Sequence, residues 1–219
     1  LKSVVAIAAV ASVAGASASV PNVQLEVYYE SQWPGCQSFT TGPLKRAMAK
    51  ADIYDIVDLK MVAYGNTKQS GDTFTCQHGS GECESDALEL CLQYKISGDI
   101  NSINSGDTTK QALPFILCME EAEGDPTKGA SCYSQSMTNS TLAYSTISDC
   151  ATNDFNTVQA AAEKATAPTN HQYVPWVLVD GELVDNTNAL LKSICDAYTG
   201  PAPASCKRLM GANQDRCYK

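Results

Sequence analysis

Alternating hydrophobic and polar residues predict two strands in the first third of the chain. Apolar side chains recur at nearly every second position in residues 23–29 and again in residues 56–64, as in strands with one buried face. The residues between them begin with Trp33-Pro34-Gly35-Cys36 and keep helical character to about residue 50. The chain therefore opens with a predicted strand–helix–strand unit.

The centre of the chain has the periodicity of helices. From Glu82 onward, apolar residues recur at intervals of three and four. Residues 111–122 predict a second helix around Pro114, and the alanine-rich residues 153–165 predict a third that ends before Pro168. Between the first two, the Gly/Asp/Ser-rich residues 97–107 predict a loop.

A hairpin and a last helix are predicted near the C-terminus. Residues 173–179 have the pattern of a strand, Asp180-Gly181 favours a type I′ turn, and residues 182–184 form the return strand. Residues 186–198 predict a helix. We expect Cys206 and Cys217 to tie down the tail that follows it.

This order of elements is that of an α/β, thioredoxin-like fold with a helical, disulfide-rich insertion. With 219 residues, of which 44% are hydrophobic, the chain can build one sizeable core. We predict a single domain at residues 19–219, with the insertion at about 71–165 and a disulfide-tied tail at 200–219. The net charge is -9 and the basic residues are scattered, which argues against a nucleic-acid partner.

The first residues have the features of a secretory signal peptide. Lys2 is followed by an apolar run at 4–13 and by Ala16-Ser17-Ala18, a small-x-small cleavage pattern. The run is shorter than the roughly 20 residues that span a bilayer, so we predict removal of residues 1–18 and no stable membrane insertion. Asn139-Ser140-Thr141 predicts a surface glycosylation site at Asn139.

Ten cysteines in an exported chain predict a disulfide framework. The pairing cannot be deduced from their spacing. A zinc site is the alternative for the group Cys76, His78, Cys83 and Cys91, but its spacing matches no standard zinc motif. We therefore predict that these cysteines form disulfides, and we predict no metal site and no cofactor.

The stretch that begins at Cys76 carries a specific resemblance. Together with Trp33-Pro34-Gly35-Cys36, it resembles the gamma-interferon-inducible lysosomal thiol reductase (GILT) family, whose signature C-Q-H-G-x-x-E-C-x-x-N-x-x-x-x-C follows a C-x-x-C pair. The residues that match the signature are Cys76, Gln77, His78, Gly79, Glu82, Cys83 and Cys91. Two positions depart from it: Asp86 replaces Asn, and Trp33 replaces the first active-site cysteine.

The resemblance implies a thiol–disulfide reductase with protein or small-molecule disulfide or thiol substrates, secreted or in the lysosomal or endomembrane lumen. In a C-x-x-C pair, the exposed first thiol attacks as a thiolate and the second resolves the mixed disulfide. Here Trp33 cannot attack, and Cys36 matches the resolving position. We therefore expect a degenerate catalytic site with weak or lost activity. From the resemblance we predict that Trp33, Pro34 and Pro175 bind substrate, and that Pro175 has a cis peptide bond.

The sequence leaves several alternatives open for individual residues and for the function of the chain. Trp33 is either a packing aromatic or a binding platform, and the His78 ring either tunes a thiol or is satisfied by backbone groups. His171 is interpreted as a loop residue. Without Cys36, nine cysteines remain, so either Cys36 pairs with one of them or one other thiol is free or intermolecular. The resemblance implies a disulfide-linked homodimer. The other functions open to such a chain are a redox-inactive binding module and a structural luminal or extracellular subunit.

Overall fold

The computed structural model describes residues 20–103 and 105–214. The predicted signal peptide and Cys217 lie outside the described residues. Within them, no helix is both long enough and apolar enough to cross a membrane.

A four-stranded mixed sheet forms the centre of the fold. Strand β1 (Val23–Tyr29) pairs parallel with β2 (Val57–Ala63) and antiparallel with β5 (Trp176–Val179). Strand β6 (Glu182–Leu183) pairs with β5 at the edge. Asp180 and Gly181 join these two strands with positive φ angles of 48° and 83°, as a type I′ turn requires. The predicted strand–helix–strand unit and the hairpin are confirmed.

The helical segment after β1 is interrupted, whereas the sequence predicted one helix to about residue 50. It consists of α1 (Pro34–Phe39), a π-helical turn (Thr40–Leu44), α2 (Lys45–Met48) and, after a break, α3 (Ala51–Tyr54). Pro43 lies inside the π-helical turn, and proline has no N–H for the regular helical ladder. The interruption therefore has a local cause in the sequence.

Helices dominate the segment between β2 and β5. They are α4 (Ser80–Ser97), α5 (Gly106–Glu121), α6 (Gly129–Ser136), α7 (Tyr144–Asn153) and α8 (Phe155–Thr166). Helix α4 packs against β2, α5, α7 and α8, so most of its middle is buried. The predicted helical insertion is confirmed. A small hairpin, β3 (Lys68–Ser70) with β4 (Thr73–Thr75), was not predicted because its residues are mostly polar.

The predicted loop at residues 97–107 is shorter than expected. It contains a 3-10 turn (Ile100–Ser102), and α5 begins at Gly106 instead of Gln111. The first turn of α5 buries Thr108 and Thr109, and the Thr109 hydroxyl donates a hydrogen bond to Gln93 Oε1 at 2.8 Å. Buried polar residues leave no hydrophobic periodicity, so the pattern did not indicate the true start.

Four disulfides connect the helices and loops. They are Cys76–Cys83, Cys91–Cys150, Cys118–Cys132 and Cys195–Cys206. The prediction that Cys76, Cys83 and Cys91 are disulfide-bonded is confirmed. The last bridge joins α9 (Leu190–Ala197) to α10 (Ala204–Gln214), so Cys206 ties down the tail as expected.

Candidate functional site

The loop after β1 leads directly into the degenerate C-x-x-C position. Trp33 is the N-cap residue of α1 in an extended conformation, and Pro34 begins the helix, where its missing N–H is not needed. The Trp33 residue is 38% exposed. At the exposed helix start, where a nucleophilic thiol would stand, the chain therefore presents an indole ring.

Two neighbours hold the Trp33 ring. Its centroid lies 5.5 Å from that of the His78 ring at an interplanar angle of 32°. The indole also covers Gly35, since a Cβ at that residue would lie 2.7 Å from Trp33 Nε1. Trp33 is therefore outside the core, with one part packed on the signature turn and another part open to solvent.

Cys36 is the only free cysteine within residues 20–103 and 105–214, and it is 0% exposed. Its Sγ accepts a hydrogen bond from the Glu30 N–H at 3.4 Å. Burial raises the pKa of the Cys36 thiol far above its usual value, and the nearby Glu120 carboxyl acts in the same direction. The thiol that the site retains is therefore both inaccessible and difficult to ionise.

Beneath the loop lies a buried group of carboxyl side chains, which we call the acid cluster: Asp86, Glu89 and Glu120. Each is at most 2% exposed, and burial raises the pKa of all three well above the usual range. The Tyr29 hydroxyl donates a hydrogen bond to Glu89, and the Ser31 N–H donates one to Asp86 at 3.1 Å. The sequence pattern does not indicate this cluster, because charged residues are expected at the surface.

The signature turn places His78 against carboxylates. His78 Nδ1 lies 2.5 Å from Glu82 Oε2 and 3.6 Å from Glu30 Oε2. The interpretation that backbone groups satisfy this ring is therefore wrong, since its polar contacts are with side-chain carboxylates. The other signature residues shape the turn: Gly79 has a φ of 96°, and Gln77 accepts a hydrogen bond from Asn66.

Pro175 has the predicted cis peptide bond with Val174. The pairing register sets Tyr28 opposite Trp176, so Pro175 lies at the end of the sheet where β1 leads into the Trp33 loop. An open groove of about 820 Å³ runs along the α1 side of that loop, and Pro34 and His78 contribute to its wall. Pro175 is not part of that wall.

Two other residues named from the sequence also lie outside the groove wall. Asn139 lies in an exposed turn, and His171 is in a loop as expected.

A zinc site that includes the signature cysteines does not fit this geometry, because Cys76, Cys83 and Cys91 are all consumed in disulfides. Among the described residues, the group that could hold a metal ion is instead Glu30, His78 and Glu82. Glu30 is absent from the signature, and nothing in the sequence places it beside His78.

Comparisons with known proteins give a consistent result. Residues 24–136 match the family model described as gamma interferon inducible lysosomal thiol reductase (GILT). A gamma-interferon-responsive lysosomal thiol protein from Arabidopsis thaliana is 33% identical over 209 residues, which cover 90% of this chain and 82% of the relative. A gamma-interferon-inducible lysosomal thiol reductase from Carassius auratus is 31% identical over 197 residues, 84% of this chain and 72% of the relative.

Similar solved structures share the thioredoxin/DsbA-like fold. Oxidised BdbD from Bacillus subtilis has a TM-score of 0.55 at 13% identity, covering 81% of this chain and 88% of its own. Reduced DsbA from Mycobacterium tuberculosis has a TM-score of 0.55 at 15% identity, covering 92% and 93%. At these identities the likeness establishes the fold alone, and the predicted fold class is confirmed.

Proposed function

The chain belongs to the gamma interferon inducible lysosomal thiol reductase family, and from this premise we propose that its own reductase activity is weak or lost. A single observation carries the proposal. The exposed helix-start position is occupied by Trp33, while the one remaining thiol of the pair, at Cys36, is 0% exposed.

The chemistry of disulfide reduction explains why these two residues are insufficient. A first thiolate attacks one sulfur of the substrate disulfide, forming a mixed disulfide and releasing one substrate thiolate. A second thiol then attacks the enzyme sulfur of the mixed disulfide, releasing the other substrate thiol and leaving an oxidised enzyme pair that an external thiol must reduce. Trp33 supplies no sulfur for the first step. Cys36 is 0% exposed and has no path to a bulky disulfide. Residues 20–103 and 105–214 contain no second free cysteine to act in the second step.

We propose that the chain keeps a surface for disulfide- or thiol-containing ligands although the two-step cycle is absent. Trp33 presents its ring beside His78, Pro34 lines the groove of about 820 Å³, and the cis-proline Pro175 lies at the same end of the sheet. These features favour a redox-inactive binding module as the second candidate function. Within the part of the chain that the structure describes, no particular contact supports a purely structural luminal or extracellular subunit.

The proposed compartment is the lumen of the secretory and lysosomal route, or the extracellular space. Four disulfides within the described residues suit an oxidising environment, and the exposed turn that carries Asn139 suits a glycan. A disulfide-linked homodimer would need a cysteine other than Cys36, because the Cys36 sulfur is buried.

The test compares four secreted proteins in a fluorogenic disulfide-reduction assay with an excess of a small thiol: wild type, Trp33→Cys, Cys36→Ser and the double variant. We expect wild type and Cys36→Ser to have equally low rates. Trp33→Cys restores a thiol at the helix start, where the unsatisfied amides favour the thiolate, with Cys36 one turn away. Its rate should rise by at least about tenfold, and the double variant should lose most of this gain.

The opposite pattern would contradict the proposal. If wild type turned over as fast as Trp33→Cys and both lost activity on Cys36→Ser substitution, Cys36 would itself be the nucleophile. Binding to an immobilised disulfide peptide tests the second candidate function. If the peptide retains the wild-type protein, and retains less of Trp33→Ala, the result would support a redox-inactive binding module.

A further inference from the structure

Three side chains from two parts of the chain converge at His78, whose ring lies beside that of Trp33. Glu30 directly follows β1, His78 lies in the turn before α4, and Glu82 lies in the first turn of α4. Each offers one ligand atom, and these atoms lie within 4.8 Å of one another. Glu30 and Glu82 are both 0% exposed, so two carboxyl groups are buried around a single imidazole.

Backbone amides fix the orientation of both carboxyl groups. Glu30 Oε1 accepts a hydrogen bond from the Asn66 N–H at 2.6 Å, and Glu82 Oε1 accepts one from the His78 N–H at 3.0 Å. The second oxygen of each group is thereby turned toward His78 Nδ1. Supporting hydrogen bonds of this kind orient the ligands of metal sites.

Glu30 Oε2 is the observation that points to a missing ligand. It is buried and has no hydrogen-bond partner, although it faces the imidazole at 3.6 Å. A buried carboxylate oxygen without a partner is costly and calls for an explanation. Among the described residues, neither Glu30 nor Glu82 forms an ion pair with lysine or arginine.

We propose that Glu30 Oε2, His78 Nδ1 and Glu82 Oε2 form a binding site for a divalent transition-metal ion of the Zn²⁺ class. One imidazole with two carboxylates is a donor set that such ions accept. Bonds of about 2.1 Å to a tetrahedral Zn²⁺ separate neighbouring ligand atoms by about 3.4 Å. The His78–Glu30 separation of 3.6 Å already fits, and the His78–Glu82 contact of 2.5 Å must open to admit the ion.

The site has the composition of a metal centre with one open position. Three protein ligands leave a fourth place for water or an exogenous group. The His78 side chain is 26% exposed and forms part of the groove wall, so this side of the site is reached from the groove. The Trp33 ring, which lies 5.5 Å from the His78 ring, partly covers it. The proposal goes beyond the proposed function, because it does not depend on thiol chemistry.

The test uses Zn²⁺ alone, titrated calorimetrically into the disulfide-bonded protein after removal of metals with a chelator. We expect one Zn²⁺ per chain and a higher melting temperature in its presence. His78→Gln should weaken binding by more than about 100-fold, since loss of a ligand exceeds the effect of losing a supporting residue. The matched control is His171→Gln, which removes the other histidine and should bind Zn²⁺ as wild type does.

Two further variants identify the ligands. Glu82→Gln should lose Zn²⁺ binding as His78→Gln does, and circular dichroism shows whether the Glu82→Gln variant folds. If that variant does not fold, the test rests on His78→Gln, because the His78 side chain is partly exposed. Cys36→Ser should bind Zn²⁺ normally. With Co²⁺ as the probe, the spectrum should show d–d bands without a thiolate charge-transfer band.

The proposal is overturned if wild type binds no Zn²⁺, or if His78→Gln binds as tightly as wild type. It is also overturned if Cys36→Ser abolishes binding or if the Co²⁺ spectrum contains a thiolate band, because the ion would then sit on sulfur.

Discussion

At the scale of single residues, the position of Glu30 depends on Gly65. This glycine has a φ of +50°, and a Cβ there would lie 2.4 Å from Glu30 Cγ and 2.7 Å from its Oε1. Only a residue without a side chain lets the chain after β2 pass so close to the buried carboxyl group. The Tyr64-Gly65-Asn66 turn therefore packs against Glu30 and helps to position this carboxyl group of the proposed metal site.

We predict that Gly65→Ala is more destabilising than Gly71→Ala. Both positions have a positive φ, so both variants carry a backbone strain of about 1–3 kcal/mol. Gly71, however, has nothing within 4 Å of an added Cβ, whereas Gly65 has the Glu30 side chain. Urea unfolding of the two variants measures the difference. Equal losses in the free energy of unfolding would show that the Glu30 side chain moves away from the added methyl group at little cost.

A second residue-scale prediction concerns the accessibility of Cys36. Because its thiol is 0% exposed and burial raises its pKa, iodoacetamide should label it very slowly in the folded protein and rapidly in urea. Mass spectrometry of the tryptic peptide measures the labelled fraction over time. Labelling at the same rate with and without urea would mean that the loop opens freely.

The sequence indicated part of the site at this scale. Cys36, His78 and Pro175 were found because they stand in motifs whose chemistry is recognisable. Glu30 and Glu89 could not be found, since a carboxylate next to a strand or within a helix is expected to face water. Their burial follows from the packing of α4 against the sheet, which no local pattern encodes.

At the scale of elements, α4 is the axis of the helical insertion. It contacts strand β2 of the sheet, and it also contacts helices α5, α7 and α8. It contributes a cysteine to each of two disulfides. Cys83 closes a short loop with Cys76, seven residues away, whereas Cys91 joins α4 to Cys150 of α7 across 59 residues. The two bridges therefore differ in how strongly they restrict the unfolded chain.

We predict that removal of the Cys91–Cys150 bridge costs more stability than removal of Cys76–Cys83. The loop-entropy relation gives about 4 kcal/mol for the long loop and about 2 kcal/mol for the short one. Paired Cys→Ala variants of each bridge, compared by urea unfolding and by secreted yield, measure the two effects. A larger loss from the short bridge would indicate that its contribution is local packing at the signature turn.

The elements themselves were mostly predictable. Strong alternation gave β1, β2 and β5, and three- and four-residue spacing gave the middle of α4. The π-helical turn at Thr40–Leu44 and the β3–β4 hairpin were missed, because one is a detail of backbone geometry and the other lacks apolar residues. Patterns of hydrophobicity report burial, and these segments bury little in a periodic way.

At the scale of the whole molecule, the acid cluster links stability to pH. Burial raises the pKa of Asp86, Glu89 and Glu120, so these groups keep their protons to a higher pH in the folded state than in the unfolded chain. In the unfolded chain they lose them above about pH 4. Unfolding then releases protons, and the stability that is fully present below pH 4 declines as pH rises toward the folded pKa values.

We therefore predict that the free energy of unfolding falls between mildly acidic and mildly alkaline pH, by up to about 1.4 kcal/mol per pH unit for each group. Glu120→Gln removes one titrating group and should reduce this slope. The matched control is Glu121→Gln, whose half-exposed side chain pairs with Lys45 at the surface and should leave the slope unchanged. Urea unfolding at several pH values measures the slope, and identical slopes in both variants would exclude Glu120 as a contributor.

The acid cluster also affects how stable the protein is at the pH of each compartment that it passes through. By this linkage, a chain with these buried acids is less stable in a neutral medium, where a secreted protein first folds and forms its disulfides, than in an acidified one. We therefore expect transfer to an acidified medium to increase its free energy of unfolding. Newly made molecules would thus be the ones most exposed to quality control and proteolysis, and those that reach an acidic destination would become harder to degrade as they arrive.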